Sequence, residues 1–163
     1  MRMLDDRDIE MYVALCDTSP TGLVWLALPN SRTLGEVGGP ALCRVNNKGY
    51  YYGLIKRRTL LAHRVVFYLT EGYWPEQVDH IDGVRSNNKP GNLRAITCLE
   101  NHHNRIARGT VYHKGKAKWQ ARIRHSGRQH SLGYFPTEEE AHAAYLLAKA
   151  AHHPTAPERC YAS

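Results

Sequence analysis

Between Val78 and Asn104 the chain runs through V-D-H-I-D-G, Asn87-Asn88, Gly91-Asn92-Leu93 and Glu100-Asn101-His102-His103-Asn104. This stretch constrains the fold more than any other. Val78 to Ile81 and Leu93 to Thr97 are short runs of strand character, and the polar, turn-forming residues 82–91 separate them. Thr97 followed by Glu100 fits the T-x-x-E signature of a helix start, and that helix is expected to reach about Arg108. The prediction is therefore strand, loop, strand, helix. Carboxylate, imidazole and carboxamide groups sit at the junctions. An anionic metal ligand, a neutral base and a second metal ligand are what metal-assisted phosphodiester hydrolysis requires.

The charge balance points to a polyanionic partner. Lys and Arg number 22 against 15 Asp and Glu, for a net charge of +7 and a pI near 9.4. Such a surface attracts nucleic acid, although a merely soluble basic protein would show the same count. Cys16, Cys43, Cys98 and Cys160 lie far apart with no C-x-x-C pair, against a structural zinc site. The charged start Met1-Arg2-Met3-Leu4-Asp5-Asp6 and the lack of a long apolar run lead us to expect a cytoplasmic protein with reduced thiols, neither secreted nor membrane-bound. Of the ten histidines, seven cluster at 102–103, 125–130 and 142–153, and solvated surface side chains account for those clusters more simply than metal binding.

Before the central stretch, Ile9, Tyr12, Val13 and Cys16 have helical spacing, which predicts a helix over 5–16. Leu23 to Leu26 reads as a strand. Leu42 to Val45 and Tyr50 to Ile55 bracket Asn46-Asn47-Lys48-Gly49, a hairpin signal. Leu60 to Leu69 has helical spacing again, closed by Gly72 and Pro75. After Gly109 the pattern changes. Strands are expected over 110–113, 119–124 and 129–134. In the second, Trp119, Ala121 and Ile123 alternate with Gln120, Arg122 and Arg124. Thr137-Glu138-Glu139-Glu140 opens a last helix, with Ala141, Ala144, Tyr145, Ala148 and Ala151 on one face.

With Ala62-His63-Arg64-Val65-Val66, Trp74-Pro75, V-D-H-I-D-G, S-N-N-K-P-G-N-L-R and E-N-H-H-N in this order, the chain from about Thr21 to Arg105 resembles the HNH endonucleases of phages, including homing endonucleases. The resemblance implies a ββα-metal motif at about 77–108. It makes His80 the general base, Asp79 a metal ligand and Asn92 the residue that holds the loop by bonding its backbone. Asn101 becomes the second metal ligand. The last position of the family name is often His, and His103 is the runner-up, because consecutive helical residues point about 100° apart. Two oxygen ligands suit one Mg²⁺ or Mn²⁺ ion. Asp82-Gly83 and Asn87-Asn88 read as plain turn residues. Arg64, Arg85, Arg94 and Arg105 read as phosphate contacts or a solvated basic face.

Residues 109–153 resemble the DNA-binding domain of plant ethylene-responsive transcription factors. Lys118-Trp119-Gln120-Ala121-Arg122-Ile123-Arg124, Leu132-Gly133-Tyr134-Phe135 and Thr137-Glu138-Glu139-Glu140-Ala141 carry the likeness. It implies a sheet in the DNA major groove, with Gln120, Arg122, Arg124, Gln129 and Ser131 facing DNA. Arg122 and Ser131 depart from the plant pattern, so its base preference does not transfer.

The whole reads as an α+β chain: an HNH module at 1–108, a three-stranded antiparallel sheet packed on one helix at 109–155, and a tail at 156–163. The expected function is metal-dependent cleavage of double-stranded DNA by a phage-encoded, homing-like enzyme, of unassigned oligomeric state. The alternative is a catalytically silent DNA-binding regulator.

Overall fold

The computed structural model describes residues 6–30, 33, 35–104 and 107–161. The chain divides into two compact units, Met1–Thr97 and Cys98–Ser163. The expected module boundary at residue 108 thus falls inside the second unit.

In the first unit, β1 (Val13–Leu15) pairs antiparallel with β2 (Leu23–Trp25), and Val13 faces Trp25. The helix expected over 5–16 is instead a 3-10 turn at Asp6–Met11 followed by β1. Ladder bonds to β2 win over the helical spacing, since they bury Val13 and Trp25 in the core. β3 (Arg44–Val45), β4 (Tyr51–Ile55) and β5 (Arg58–Leu61) form an antiparallel sheet in that order. The turn before β4 is set by Asn46, whose Oδ1 accepts the amides of Lys48 and Tyr50 at 2.9 and 3.0 Å.

α1 (Ala62–Glu71) begins two residues later than the periodicity from Leu60 predicts. Leu60 and Leu61 pair with Gly53 and Tyr52, so the apolar run spends its first turn as β5. At the other end Gly72 takes φ 79° and donates its amide to the Tyr68 carbonyl, a left-handed cap that favours glycine. Val65, Val66 and Phe67 of α1 enter the core beside Ile9, Leu23, Ile55 and Leu93. Full burial of each large side chain contributes about 1.5–3 kcal/mol. Against this core lie β6 (Gln77–His80) and β7 (Leu93–Ile96), an antiparallel pair.

The second unit starts with α2 (Cys98–His103), shorter than the helix to Arg108 that the sequence predicts. Downstream, Arg108 turns to α3 (Glu138–His152). Its carbonyl accepts from His142 Nδ1 at 2.7 Å, and its Nη1 lies 3.3 Å from Glu138 Oε1. β8 (Thr110–His113), β9 (Lys118–His125) and β10 (Arg128–Phe135) form an antiparallel sheet in the order β10-β9-β8, and α3 packs on it. Ala121 and Ile123 are buried, while Arg122 and Arg124 are exposed, as the alternation predicts. Thr137 caps α3 by accepting the Glu140 amide at 3.2 Å.

The buried positions of α3 are Ala141, Tyr145 and Lys149, one per turn. The expected alanine face is shifted: Ala144 and Ala148 are half-buried and Ala151 is exposed. Lys149 has no exposed surface, and its Nζ lies 5.9 Å from the ring centres of both Tyr145 and Tyr161. Burial pushes its pKa below the ordinary lysine value. Among the described residues no helix is long and apolar enough to cross a membrane.

Candidate active site

The register of β6 and β7 sets the site. Asp79 faces Arg94, and His80 faces Leu93. Cross-strand partners share a sheet face and successive residues do not. Asp79 and Arg94 therefore lie on one face, half-buried, and His80 lies on the other, 3% exposed. Arg94 donates through Nε and Nη2 to the same carboxylate oxygen, Asp79 Oδ2, at 3.2 and 2.9 Å. Sequence reasoning assigned Arg94 to DNA. Its guanidinium is engaged with the carboxylate assigned to the metal.

On the buried face, the rings of Tyr50 and His63 flank His80 at centroid distances of 5.9 and 5.1 Å. His63 is itself buried, and its Nδ1 has no hydrogen-bond partner. Burial, helped by the neighbouring His80 and Arg64, holds its pKa down at about 3. It is a neutral ring at physiological pH. His80 Nε2 lies 3.0 Å from Asn88 Oδ1. Asn88 is 3% exposed and donates through Nδ2 to the Thr21 carbonyl at 3.0 Å.

The loop between the strands is held by a small amide and carboxylate network. Asn92 Oδ1 accepts the Asp82 amide at 3.1 Å, and its Nδ2 donates to the Asn87 carbonyl at 2.8 Å and to Asp82 Oδ1 at 3.0 Å. Asp82 also accepts the Val84 amide at 2.8 Å and Asn87 Nδ2 at 2.7 Å. Burial works to raise the Asp82 carboxyl, but these bonds from Asn87, Val84 and Asn92 together hold it below its ordinary value. Arg85 ties the loop to the β3–β4 turn by donating to the Lys48 carbonyl at 2.7 Å, with its guanidinium 5.3 Å from the Tyr50 ring centre. Arg64 donates to the carbonyls of Pro75 and Glu76 at 2.9 and 3.2 Å. Both arginines have structural partners within the unit.

The residue that sequence reasoning missed is Asn88. It read as one of two adjacent turn asparagines. Its partners, His80 and Thr21, come from other parts of the chain, and nothing in the local pattern separates it from Asn87.

Asn101 and His103, the candidates for the second metal ligand, lie on α2 in the other unit. Asn101 is exposed. The His103 ring stacks on that of His153 with centroids 3.7 Å apart and planes 5° apart. Burial lowers the His103 pKa, and the nearby His125 adds to this. Among the described residues no three His, Cys, Asp or Glu side chains gather to hold a metal ion. The donor chemistry of Asp79 fits a divalent cation, because a carboxylate oxygen is a hard anionic ligand, and Oδ2 is held here by the Arg94 guanidinium.

The exposed face of the C-terminal sheet carries the residues expected to meet DNA. Arg122 pairs with Ser131 and Arg124 with Gln129, so all four share one face, and all four are exposed. Gln120 lies on the same side, half-buried, and donates through Nε2 to Ser131 Oγ at 2.9 Å. A β-bulge between Ser131 and Gly133 shifts the register, so that Tyr134 pairs with Gln120. Lys116 Nζ sits 3.6 Å from the Tyr134 ring centre. Arg105, also expected to contact DNA, lies outside the described residues.

Residues 60–103 match the family model of HNH endonucleases. Among characterised proteins, the DNA endonuclease I-HmuI of Bacillus phage SP01 is 33% identical to this chain over 124 residues. The alignment covers 72% of the chain and 66% of that relative, just under two thirds of its length. No solved structure matches the chain.

Proposed function

We propose, from the HNH endonuclease domain that the chain carries over residues 60–103, that the protein is a metal-dependent endonuclease of phage homing type acting on double-stranded DNA. The observation that carries this reading is the succession of Asp79 and His80 at one strand end, their side chains on opposite faces of β6, with His80 embedded between Tyr50, His63 and Asn88. His80 takes a proton from the water that attacks phosphorus. A new P–O bond forms and the P–O3′ bond breaks, leaving a 3′-hydroxyl and a 5′-phosphate. Asp79, with Asn101 as the second ligand suggested by the sequence pattern, would hold one Mg²⁺ or Mn²⁺ ion. Such an ion neutralises charge developing on the phosphate. Asn92 keeps the loop after His80 in place through Asp82 and Asn87.

The C-terminal sheet is the DNA-reading element, of the plant ethylene-responsive-factor type. Its exposed face offers Gln120, Arg122, Arg124, Gln129 and Ser131 to a major groove, where Arg suits guanine and Gln suits adenine. The net charge of +7 supports binding to a polyanion.

A supercoiled-plasmid assay with Mg²⁺ tests this reading. Wild type should give nicked or linear product, chelation should stop the reaction, and His80→Ala should abolish it while retaining DNA affinity. Binding without any cleavage across Mg²⁺ and Mn²⁺ would make the protein a DNA-binding regulator instead.

A further inference from the structure

We propose that Asn88 is the positioning residue that fixes the tautomer of His80 and thereby selects Nδ1 as the atom that accepts the proton; this rests on the reading of His80 as the base. The argument begins at Thr21. A backbone carbonyl can only accept a hydrogen bond, so the end of the Asn88 amide 3.0 Å from the Thr21 carbonyl must be the NH₂. The other end, 3.0 Å from His80 Nε2, is then the carbonyl oxygen. That oxygen is also only an acceptor, so the neutral His80 ring carries its proton on Nε2. The lone pair is left on Nδ1.

Both asparagine bonds are buried. Asn88 and His80 are each 3% exposed and Thr21 has no exposed surface. An amide flip would set carbonyl against carbonyl at Thr21 and leave two buried acceptors facing each other without a donor, at a cost of about 1–3 kcal/mol. The Thr21 carbonyl is itself held firmly. Thr21 Oγ1 bonds to the Leu23 backbone and to Ser19 Oγ, and Gly22 follows with φ 78°. The orientation of the ring is thus set by the turn between β1 and β2, a segment outside residues 60–103.

The test is ¹⁵N NMR of ring-labelled histidine, with cleavage kinetics on the same proteins. In the wild type the His80 resonances should report the Nε2–H tautomer; an Nδ1–H pattern overturns the inference without any variant. Asn88→Leu removes the acceptor with little change in volume. It should give a mixture of tautomers and lower kcat by about 10- to 100-fold, as for residues that orient a functional histidine, with DNA affinity unchanged. If Asn88→Leu keeps both the tautomer and kcat, Asn88 is only a turn residue and the inference fails. If His80→Ala cleaves at the wild-type rate, the reading of His80 as base falls, and with it the catalytic half of this inference. The wild-type spectrum then separates that failure from a wrong assignment of the Asn88 bond.

Discussion

Arg94 places both Nε and Nη2 on one oxygen of Asp79, at 3.2 and 2.9 Å, across the β6–β7 pair. The two residues are direct register partners, so the contact is written into the ladder. If Asp79 binds the metal ion, guanidinium and ion compete for the same oxygen. Arg94→Ala should therefore tighten Mn²⁺ binding, measured by titration calorimetry, by roughly 5- to 10-fold. It should also cost about 1–2 kcal/mol of stability, the scale of a partly buried charged hydrogen bond. Unchanged or weaker Mn²⁺ affinity would show that Asp79 Oδ2 is not a metal ligand.

His63 predicts how the first unit responds to acid. Its folded pKa is about 3 against an ordinary value of 6.5, mainly through burial. A histidine depressed in this way favours the fold only while neutral. Its contribution is full above about pH 6.5 and is lost as pH falls from there toward 3, with a slope of at most about 1.4 kcal/mol per pH unit. Urea unfolding between pH 7 and pH 5 should show this loss. His63→Phe should flatten the slope, and an unchanged slope would mean that another group drives the acid sensitivity.

Gly22 has little room for a side chain. At φ 78° an added Cβ would lie 3.0 Å from Val66 Cγ2 and 3.2 Å from the Asn88 carbonyl oxygen. Gly22→Ala should destabilise the protein by about 1–3 kcal/mol, part from the left-handed backbone and part from the contact. Because Asn88 must shift, cleavage should fall at temperatures where the fold remains intact. Full activity at an unchanged Tm would show that the turn relaxes without disturbing the site.

Arg122 and Arg124 test the sheet. Replacing either with Ala should cost about 1–3 kcal/mol of affinity at a target site if it reads a base. If it holds only phosphate, the loss should be equal on all sequences and the salt slope should drop by about one. Binding to target and scrambled duplexes at two salt concentrations separates these outcomes. No change in either variant would remove this face from the DNA contact.

The sequence showed well whatever depends on near neighbours. The alternation of Trp119, Ala121 and Ile123 with the arginines, the Thr137 cap and the Asn46 turn all rest on residues within a few positions. What it hid was decided by distant partners. Val13 looked helical until β2 paired with it. Leu60 and Leu61 looked helical until β4 took them. Asn88 and Asn87 are chemically identical neighbours. Yet one closes a loop at the surface, and the other is buried between a histidine and a carbonyl 67 residues away. Lys149 fell outside the expected apolar face because periodicity arguments put lysine on the solvent side, although its long stem can fill an interior.

The bulge at Leu132 works as a change of frame within β10. Strict alternation from Ser131 would send Tyr134 inward and Phe135 outward. The extra residue reverses both, bringing Tyr134 beside Gln120 and Phe135 beside Trp119. Deleting Leu132 would therefore straighten β10 without sending any side chain to the other side, because Ser131, Gly133, Tyr134 and Phe135 then alternate against the partners they already have. What the strand would lose is the local kink and added twist that an extra residue brings.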